Sequence, residues 1–146
     1  MIDEYLLKPY VEPNNPKISF YILYKNQKSF FEEFINSLNQ TLDIKEYNKI
    51  LALMGAVCNM PLPFEKFHSV KPNNKGDRTD VWEFKSKHLR VYVIRKDPDF
   101  YIVMAGYKKG QDADIEKIYR MFNGLPDSIK VEDWDSKQKN QNLWKN

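Results

Sequence analysis

The sequence predicts one α+β domain whose elements follow the order β, α, α, β, β, β, α. Residues 81–109 contain three strand-like runs in succession, the first two alternating between apolar and polar residues and the third nearly all apolar. Two segments before these runs, and one after them, carry apolar residues at helical spacing. The length of 146 residues suits a single core. We therefore expect a small, mostly antiparallel sheet with the helices packed on one of its faces.

The two ends of the chain differ in composition from this domain. Residues 1–16 contain three prolines and two asparagines and predict an irregular N-terminal arm. Residues 127–146 are rich in Lys, Gln, Asn and Asp and predict a polar tail, which leaves 17–126 as the domain. Trp134 and Trp144 in this tail indicate either docking onto the domain or contact with a partner.

The first half of the domain predicts a strand followed by two helices. Residues 17–24 have apolar side chains on both parities, which is typical of a strand buried on both faces. Ser29 followed by Glu32 forms a capping box, and the apolar residues after it recur at helical spacing. Asp43 begins a second helical pattern that ends before Pro61. The short link between the two patterns predicts an antiparallel helical hairpin.

The second half predicts a loop, the three-strand meander and a final helix. Residues 64–80 show no clear period, so we expect a loop there. Asp112 can cap a third helix, which Gly124 closes. The strand-like runs between them are 81–85, 89–94 and 101–109.

Composition limits the classes of protein that need to be considered. The single cysteine, Cys58, excludes an internal disulfide and a thiolate zinc cage. The first residues lack the pattern of a signal peptide, and no apolar run approaches the length of a membrane span. Two histidines without an acidic partner at ligand spacing predict no metal site. We therefore expect a reduced, cytoplasmic protein that contacts no membrane and uses no cofactor.

The net charge of +3 is concentrated in the strand region. Residues 64–111 carry 11 Lys and Arg against 6 Asp and Glu, whereas 1–63 and 112–146 each carry 6 against 7. A local basic excess is typical of a phosphate-binding surface, because cationic side chains that neutralise phosphates release counterions. It is equally typical of a solvated rim that binds nothing.

Three short motifs carry a family resemblance. They are Trp82-Glu83-Phe84-Lys85, Arg90-Val91-Tyr92 and Tyr107-Lys108-Lys109, followed by a helix rich in charged residues. In their order and spacing the chain resembles the RelE/ParE superfamily of bacterial toxins, specifically its HigB-like and phage-derived branch. The resemblance covers roughly residues 17–123 and implies a RelE-like fold.

The function that this resemblance implies is that of the toxin in a type II toxin–antitoxin pair. Such a toxin is a metal-independent mRNA endoribonuclease, which in many members acts on the ribosome. Its partner is an antitoxin protein, here expected to be of the helix-turn-helix type. In the reaction the ribose 2′-hydroxyl attacks the adjacent phosphate, so the site must accept a proton and stabilise negative charge.

The resemblance assigns Lys85, Arg90 and Lys109 as catalytic residues. His68, which lies between lysines in the predicted loop, adds a candidate general base or acid. Alternation along the strands places Glu83 and Lys85 on one face, so we expect one polar face and one core face. The expected substrate-binding residues are Lys66, Lys71, Tyr92, Tyr107 and Lys108.

Other interpretations of the same residues stay open. Lys85 and Arg90 can pair with Glu83 across the strands, and the lysines after the last strand can protect its end from edge pairing. At the level of function, the alternatives are a catalytically silent protein-binding module on the same scaffold and a non-catalytic RNA-binding domain.

Overall fold

The structure is a computed structural model that describes residues 2–10, 19–57, 65–70, 81–96 and 98–132. The strands are β1 (Tyr5–Pro9), β2 (Phe20–Lys25), β3 (Phe67–Ser69), β4 (Val81–Lys85), β5 (Leu89–Lys96), β6 (Asp99–Tyr107) and β7 (Lys130–Val131). The helices are α1 (Phe30–Ser37), α2 (Thr41–Ala56) and α3 (Gln111–Asn123). Together they form a mixed α+β fold, as the sequence predicts.

All seven strands belong to one sheet in the order β3-β4-β5-β6-β2-β1-β7. The predicted meander is confirmed, since β4, β5 and β6 are consecutive antiparallel neighbours. The strand β2 joins this meander in parallel with β6, and β7 joins β1 in parallel. The other two pairs, β1 with β2 and β3 with β4, are antiparallel, so the sheet is mostly antiparallel as predicted.

The helices lie on both faces of the sheet, and the prediction of one covered face was wrong. Helices α1 and α2 pack on one face, with Phe31 and Ile50 fully buried against strand residues such as Val91. Helix α3 packs on the other face, where Ile118 lies in a second apolar cluster with Tyr92. The apolar stripe of α3 is buried against this second face of the sheet. As a consequence, the sheet face predicted to be polar and open is covered.

Three short strands lie in segments predicted to be irregular. The arm contains β1, whose Leu7 is buried because it packs in the cluster beneath α3. The loop contains β3, which pairs with β4, and the tail contains β7. Sequence periodicity cannot detect β3 and β7, because strands of two or three residues are too short to show alternation. The five residues of β1 are identified as a strand by their pairing with β2. Residues 11–16, 71–80 and 133–146, with both tail tryptophans, lie outside the described residues.

The starts of the helices differ in how well the sequence predicts them. The Ser29 side chain accepts a hydrogen bond from the backbone N–H of Glu32 at 3.1 Å, so the predicted cap of α1 is confirmed. Helix α2 begins two residues before Asp43, and α3 begins one residue before Asp112, with no side-chain cap at either start. A 3-10 turn, Lys108–Gly110, connects β6 directly to α3. This turn brings the lysine pair to the start of the last helix.

Candidate functional site

Polar side chains from three neighbouring strands meet beneath the start of α3. In the register of the sheet, His68 of β3 lies opposite Glu83 of β4, which lies opposite Tyr92 of β5. Two residues further along, Lys85 lies opposite Arg90. Because alternate residues share a face, all five side chains project from the α3 side of the sheet. We call these five residues the polar cluster.

Glu83 is the centre of the polar cluster. Its carboxylate is 2 % exposed and accepts a hydrogen bond from the Gln111 side chain at 2.6 Å. The His68 Nε2 atom lies 3.4 Å from Oε1, and the Arg90 Nε atom lies 3.9 Å from Oε2. Because Gln111 is the first residue of α3, this carboxylate also fixes the position of that helix. Glu83 is therefore contacted by neighbours from three different elements.

Burial raises the pKa of Glu83 above its ordinary value. The positive charges of His68, Arg90 and Lys85, and the hydrogen bond from Gln111, lower it and offset part of that effect. The net result is a carboxyl group whose proton is held more tightly than in water. A carboxyl group of this kind beside a histidine is typical of a site that exchanges protons.

His68, like Lys85, is a member of the polar cluster that solvent reaches. Its side chain is 34 % exposed, because β3 is the edge strand. The Nδ1 atom lies 3.1 Å from the carbonyl oxygen of Ser69, so in the neutral ring Nδ1–H donates there and Nε2 is left to accept. The 3.4 Å separation of Nε2 from Glu83 exceeds the usual hydrogen-bond length of about 2.7–3.2 Å. The contact between Nε2 and Glu83 is therefore an ion pair only when the imidazole ring is protonated.

Arg90, which the resemblance assigns to catalysis, does not reach solvent in the structure. It is 6 % exposed, and its Nη1 donates to the carbonyl oxygens of Ser86 at 2.8 Å and Leu89 at 2.9 Å. Its Nε lies beside Glu83 and is buried without a hydrogen-bond acceptor among the described residues. The structural alternative, in which Arg90 pairs with Glu83, is the arrangement observed. The physical reason is that α3 covers this face.

Tyr92 cannot stack on a base, because it is fully buried in the apolar cluster beneath α3. Its hydroxyl group finds no hydrogen-bond partner among the described residues, and burial together with the charge of Glu83 raises its pKa. The prediction of Tyr92 as a substrate-binding residue was therefore wrong. Its role is in packing, with its hydroxyl adding polarity to the cluster.

An open cleft adjoins the polar cluster at the end of β6. It has a volume of about 730 Å³. Gly106 forms part of its lining and lies opposite Arg90 in the sheet, so the cleft and the polar cluster meet at this pair of residues. The described residues that line it are Phe34, Asp43, His88, Ala105, Gly106, Tyr107, Lys108, Lys109, Gly110 and Asp114. We call this region the β6 cleft.

Tyr107 is held in the β6 cleft by two contacts. Its hydroxyl donates to Oδ2 of Asp43 at 3.0 Å, which raises the pKa of the tyrosine. Its ring meets Phe34 nearly perpendicularly, with ring centroids 5.1 Å apart. Even so, Tyr107 remains 45 % exposed. An aromatic ring that is fixed but exposed is suited to stacking on a flat ligand.

A second part of the cleft lining depends on a glycine. A Cβ at Gly106 would collide with the carboxylate of Asp114 on α3, so the missing side chain allows that carboxylate to lie against the strand. Burial raises the pKa of Asp114, and Lys117 lowers it in part. The cleft therefore combines an aromatic wall, a partly buried carboxylate and two exposed lysines.

The predicted site residues thus divide into two groups. Lys85 and His68 join Glu83 in the polar cluster, while Tyr107, Lys108 and Lys109 line the β6 cleft. Lys66 is exposed just before β3, and its carbonyl accepts the backbone N–H of Lys85 at 3.0 Å. Lys71 lies outside the described residues.

Several residues of the site were not predicted from the sequence. Asp114 and Gln111 occupy the first turn of α3, where acidic and polar residues are common for helix stability alone. Asp43 was interpreted as a helix start, and His88 was assigned no role. Their spacing in the chain gives no signal, because they meet through packing of α1, α2 and α3 around the end of β6.

Comparison of the chain with protein-family models, with curated proteins and with solved structures gave no match. Within the described residues, no helix combines the length and apolar character needed to cross a bilayer. The same residues hold no group of three or more His, Cys, Asp or Glu side chains placed to share a metal ion. The functional interpretation depends on the geometry of the two regions themselves.

Proposed function

We propose that this chain is a metal-independent endoribonuclease in which His68 transfers a proton and Glu83 stabilises the resulting imidazolium. The observation that carries the proposal is the position of the His68 ring, partly exposed at the sheet edge and 3.4 Å from a buried carboxylate. A buried carboxylate beside a histidine stabilises the imidazolium that forms when the ring takes a proton.

The proposed reaction needs one proton acceptor, one proton donor and positive charge. Nε2 of His68 takes the proton of a ribose 2′-hydroxyl, and the 2′-oxygen forms a bond to the adjacent phosphorus. The P–O5′ bond breaks, which leaves a 2′,3′-cyclic phosphate and a 5′-hydroxyl. The departing oxygen takes its proton from an ammonium group, for which we assign Lys85 on the same face of β4 as Glu83.

Glu83 and Arg90 act as positioning residues in this proposal, since neither reaches the substrate. Glu83 faces the imidazole on one side and Arg90 on the other. Arg90 is tied to two backbone carbonyls of the β4–β5 turn, so it holds the carboxylate without itself binding phosphate. Phosphate contacts are assigned instead to the exposed Lys66, Lys108 and Lys109.

Two features support the further proposal of a RelE-like toxin. The three motifs that carry the resemblance contribute Glu83, Lys85 and Arg90 to the polar cluster, and Tyr107 with its lysine pair to the adjoining cleft. The element order β2, α1, α2, β4, β5, β6, α3 contains the predicted order, with the first strand parallel to the last. An antitoxin and mRNA are the partners that this proposal requires.

The reaction can be tested with the purified full chain and a short single-stranded RNA in the presence of EDTA. We expect a product with a 2′,3′-cyclic phosphate end, identified by mass spectrometry. His68→Ala should reduce the cleavage rate at least ~100-fold, the usual effect of losing a general base. Lys49→Ala, an exposed substitution on the helix layer of the opposite face, should keep the rate. Absence of cleavage, or cleavage unaffected by His68→Ala, would contradict the proposal.

The toxin role needs a separate experiment in cells. Induced expression in a bacterial host should arrest growth, and His68→Ala and Lys109→Ala should relieve the arrest. Co-expression of a helix-turn-helix protein that binds this chain and restores growth would support the antitoxin partnership. Normal growth on induction of a folded wild-type chain would count against a toxin.

A second candidate function is a catalytically silent protein-binding module. The burial of Arg90 favours it, because the guanidinium group that the resemblance assigns to catalysis is not available to a phosphate. This function predicts growth arrest that persists in His68→Ala, with no cyclic phosphate formed by either protein. The two experiments above therefore separate the candidates.

A further inference from the structure

The β6 cleft has a chemical character that proton transfer at His68 does not use. Its volume of about 730 Å³ lies within the range of roughly 300–1,000 Å³ that small-molecule sites occupy. We propose that the cleft binds a guanine ribonucleotide, with the base stacked on Tyr107, its Watson–Crick edge on Asp114 and its phosphate on Lys108 and Lys109.

The stacking surface is the ring of Tyr107. Its hydroxyl donates to Asp43, and its ring makes an edge-to-face contact with Phe34. These two contacts fix the orientation of the Tyr107 ring, so little conformational freedom is lost when a base binds. The perpendicular contact with Phe34 occupies at most one face of the ring, and 45 % of the residue is exposed. Aromatic side chains of this kind stack on single-stranded bases of any sequence.

The preference for guanine comes from the carboxylate of Asp114. Guanine carries its N1–H and N2–H groups side by side, so one carboxylate can accept hydrogen bonds from both. Adenine and cytosine each present a single amino group beside an acceptor nitrogen, and uracil presents one N–H between two carbonyls. Asp114 lines the cleft, and its carboxylate can lie against β6 because Gly106 has no side chain to exclude it.

The phosphate ligands are the two lysines that follow β6. Both are exposed, and among the described residues no carboxylate lies within 4.0 Å of either ammonium group. They begin the 3-10 turn that leads into α3, on the same side of the cleft as Gly110. Positive charge and an aromatic ring on adjacent residues match the charged and flat parts of a nucleotide.

This inference deepens the proposed ribonuclease function, because it names the base that the site would hold. The same chemistry is offered by a free nucleotide and by one guanosine within an RNA. A pentaribonucleotide with a single G should bind more tightly than GMP if the ligand is RNA, and less tightly if it is the free nucleotide. Either order is consistent with a guanine site.

The test is titration calorimetry of the full chain with GMP, AMP, CMP, UMP and IMP. We expect GMP to bind about tenfold or more tightly than the other three standard nucleotides. IMP lacks the N2 amino group and should bind about tenfold more weakly than GMP, since the site then leaves one acceptor unpaired. The IMP comparison uses the wild-type protein and does not depend on any variant folding.

Variants then assign the contacts. Tyr107→Ala should weaken GMP binding at least tenfold, the usual effect of losing a stacking partner. Asp114→Asn should remove the preference for GMP over AMP, while the matched Asp112→Asn, exposed in the same helical turn and outside the cleft lining, should retain it. Equal binding of the four nucleotides, no binding of GMP, or a folded Asp114→Asn that keeps the preference would overturn the proposal.

The two proposals fail in different ways. Selective GMP binding by a protein that does not cleave RNA would refute the reaction at His68 and retain the guanine site. RNA cleavage that depends on His68, without selective GMP binding, would retain the reaction and refute the guanine site.

Discussion

The polar cluster and the β6 cleft meet at the paired residues Arg90 and Gly106, but their charged groups differ in exposure. In the polar cluster, Glu83 and Arg90 are buried and form an ion pair, while Glu83 accepts a hydrogen bond from Gln111 and Arg90 donates to backbone carbonyls. In the cleft, Lys108 and Lys109 are exposed on a fixed turn. Buried groups stabilise α3 and shift proton affinities, whereas exposed groups are free for a ligand. His68 combines both properties, because it is partly exposed and also contacts the buried Glu83.

The comparison shows why basic character in a sequence is a weak indicator of a phosphate site. Lys85 and Arg90 follow the same strand alternation, yet one is partly exposed and the other is buried under α3. Whether each side chain is exposed depends on how helix α3 covers this face of the sheet. The following substitutions test this difference between the two regions.

The largest expected effect is the loss of the buried carboxylate. Glu83→Ala leaves Arg90 buried without a counter-charge, and removal of one partner from a buried pair costs about 3–5 kcal/mol. We expect that loss in the free energy of unfolding measured with urea. Lys109→Ala in the cleft should change it by less than about 0.5 kcal/mol. Similar effects of the two substitutions would show that the polar cluster is not structurally distinct from the cleft.

The position of His88 in the cleft lining depends on an acid of α2. Glu46 of α2 accepts hydrogen bonds from the Ser86 side chain at 2.6 Å and from the backbone N–H of His88 at 2.5 Å. Burial alone raises the pKa of Glu46, but these bonds outweigh it and lower the pKa. Glu46→Gln should therefore cost about 1.5–3 kcal/mol at neutral pH.

The stability cost of Glu46→Gln should depend on pH, because the pKa of Glu46 is lowered in the folded protein. A lowered pKa means that the ionised carboxylate stabilises the folded protein above the ordinary pKa of 4.5, and that this stabilisation is lost as the pH falls through the folded value. The difference in the free energy of unfolding between wild type and Glu46→Gln, measured by urea denaturation, should become smaller below pH 4.5. Exposed Glu33→Gln serves as the control. A difference that widens in acid would contradict the assignment.

A smaller effect is expected where the cleft meets the sheet. Gly106→Ala places a methyl group against the Asp114 carboxylate, which must move. We expect a stability loss of about 1 kcal/mol, at the low end for overpacking, because the displaced group is a side chain. The displacement should also weaken GMP binding. Gly55→Ala, where a Cβ meets nothing within 4 Å, is the control. Unchanged GMP binding in Gly106→Ala would place Asp114 outside the binding site.

The smallest effect concerns the hydroxyl that anchors Tyr107. Tyr107→Phe keeps the ring and its contact with Phe34 but loses the exposed hydrogen bond to Asp43, a change of about 0.5 kcal/mol. Thermal unfolding should detect little difference, and GMP binding should persist. Loss of GMP binding in Tyr107→Phe equal to that in Tyr107→Ala would show that the hydroxyl, and not the ring, is what the cleft provides.

Most of the fold could be predicted from the sequence because its main elements have strong local signals. The capping Ser29, the apolar stripes and the alternation through the meander each belong to one element. The position of α3 on the opposite face could not be predicted, since its apolar stripe specifies that a surface is covered but not which one. The strands β1, β3 and β7 are stabilised by pairing with distant segments, which leaves no periodic signal.

The candidate site could be predicted only in part, for a related reason. The residues of the resembling motifs do lie near one another, because strand register brings Glu83, Lys85 and Arg90 together. Whether each is exposed depends on α3, and the burial of Tyr92 and Arg90 follows from that helix. Asp114 and Gln111 enter the site from α3 itself, and no spacing in the sequence relates them to the strands.

The most direct measurement is the chemical end group left on RNA by the wild-type chain in EDTA, compared between an all-ribose substrate and one with a 2′-deoxyribose at the cleaved position. Proton transfer at His68 predicts a 2′,3′-cyclic phosphate from the first substrate and no cleavage of the second. Cleavage of the deoxy substrate, or a 5′-phosphate end, would contradict attack by the 2′-hydroxyl and with it the role of the His68–Glu83 pair.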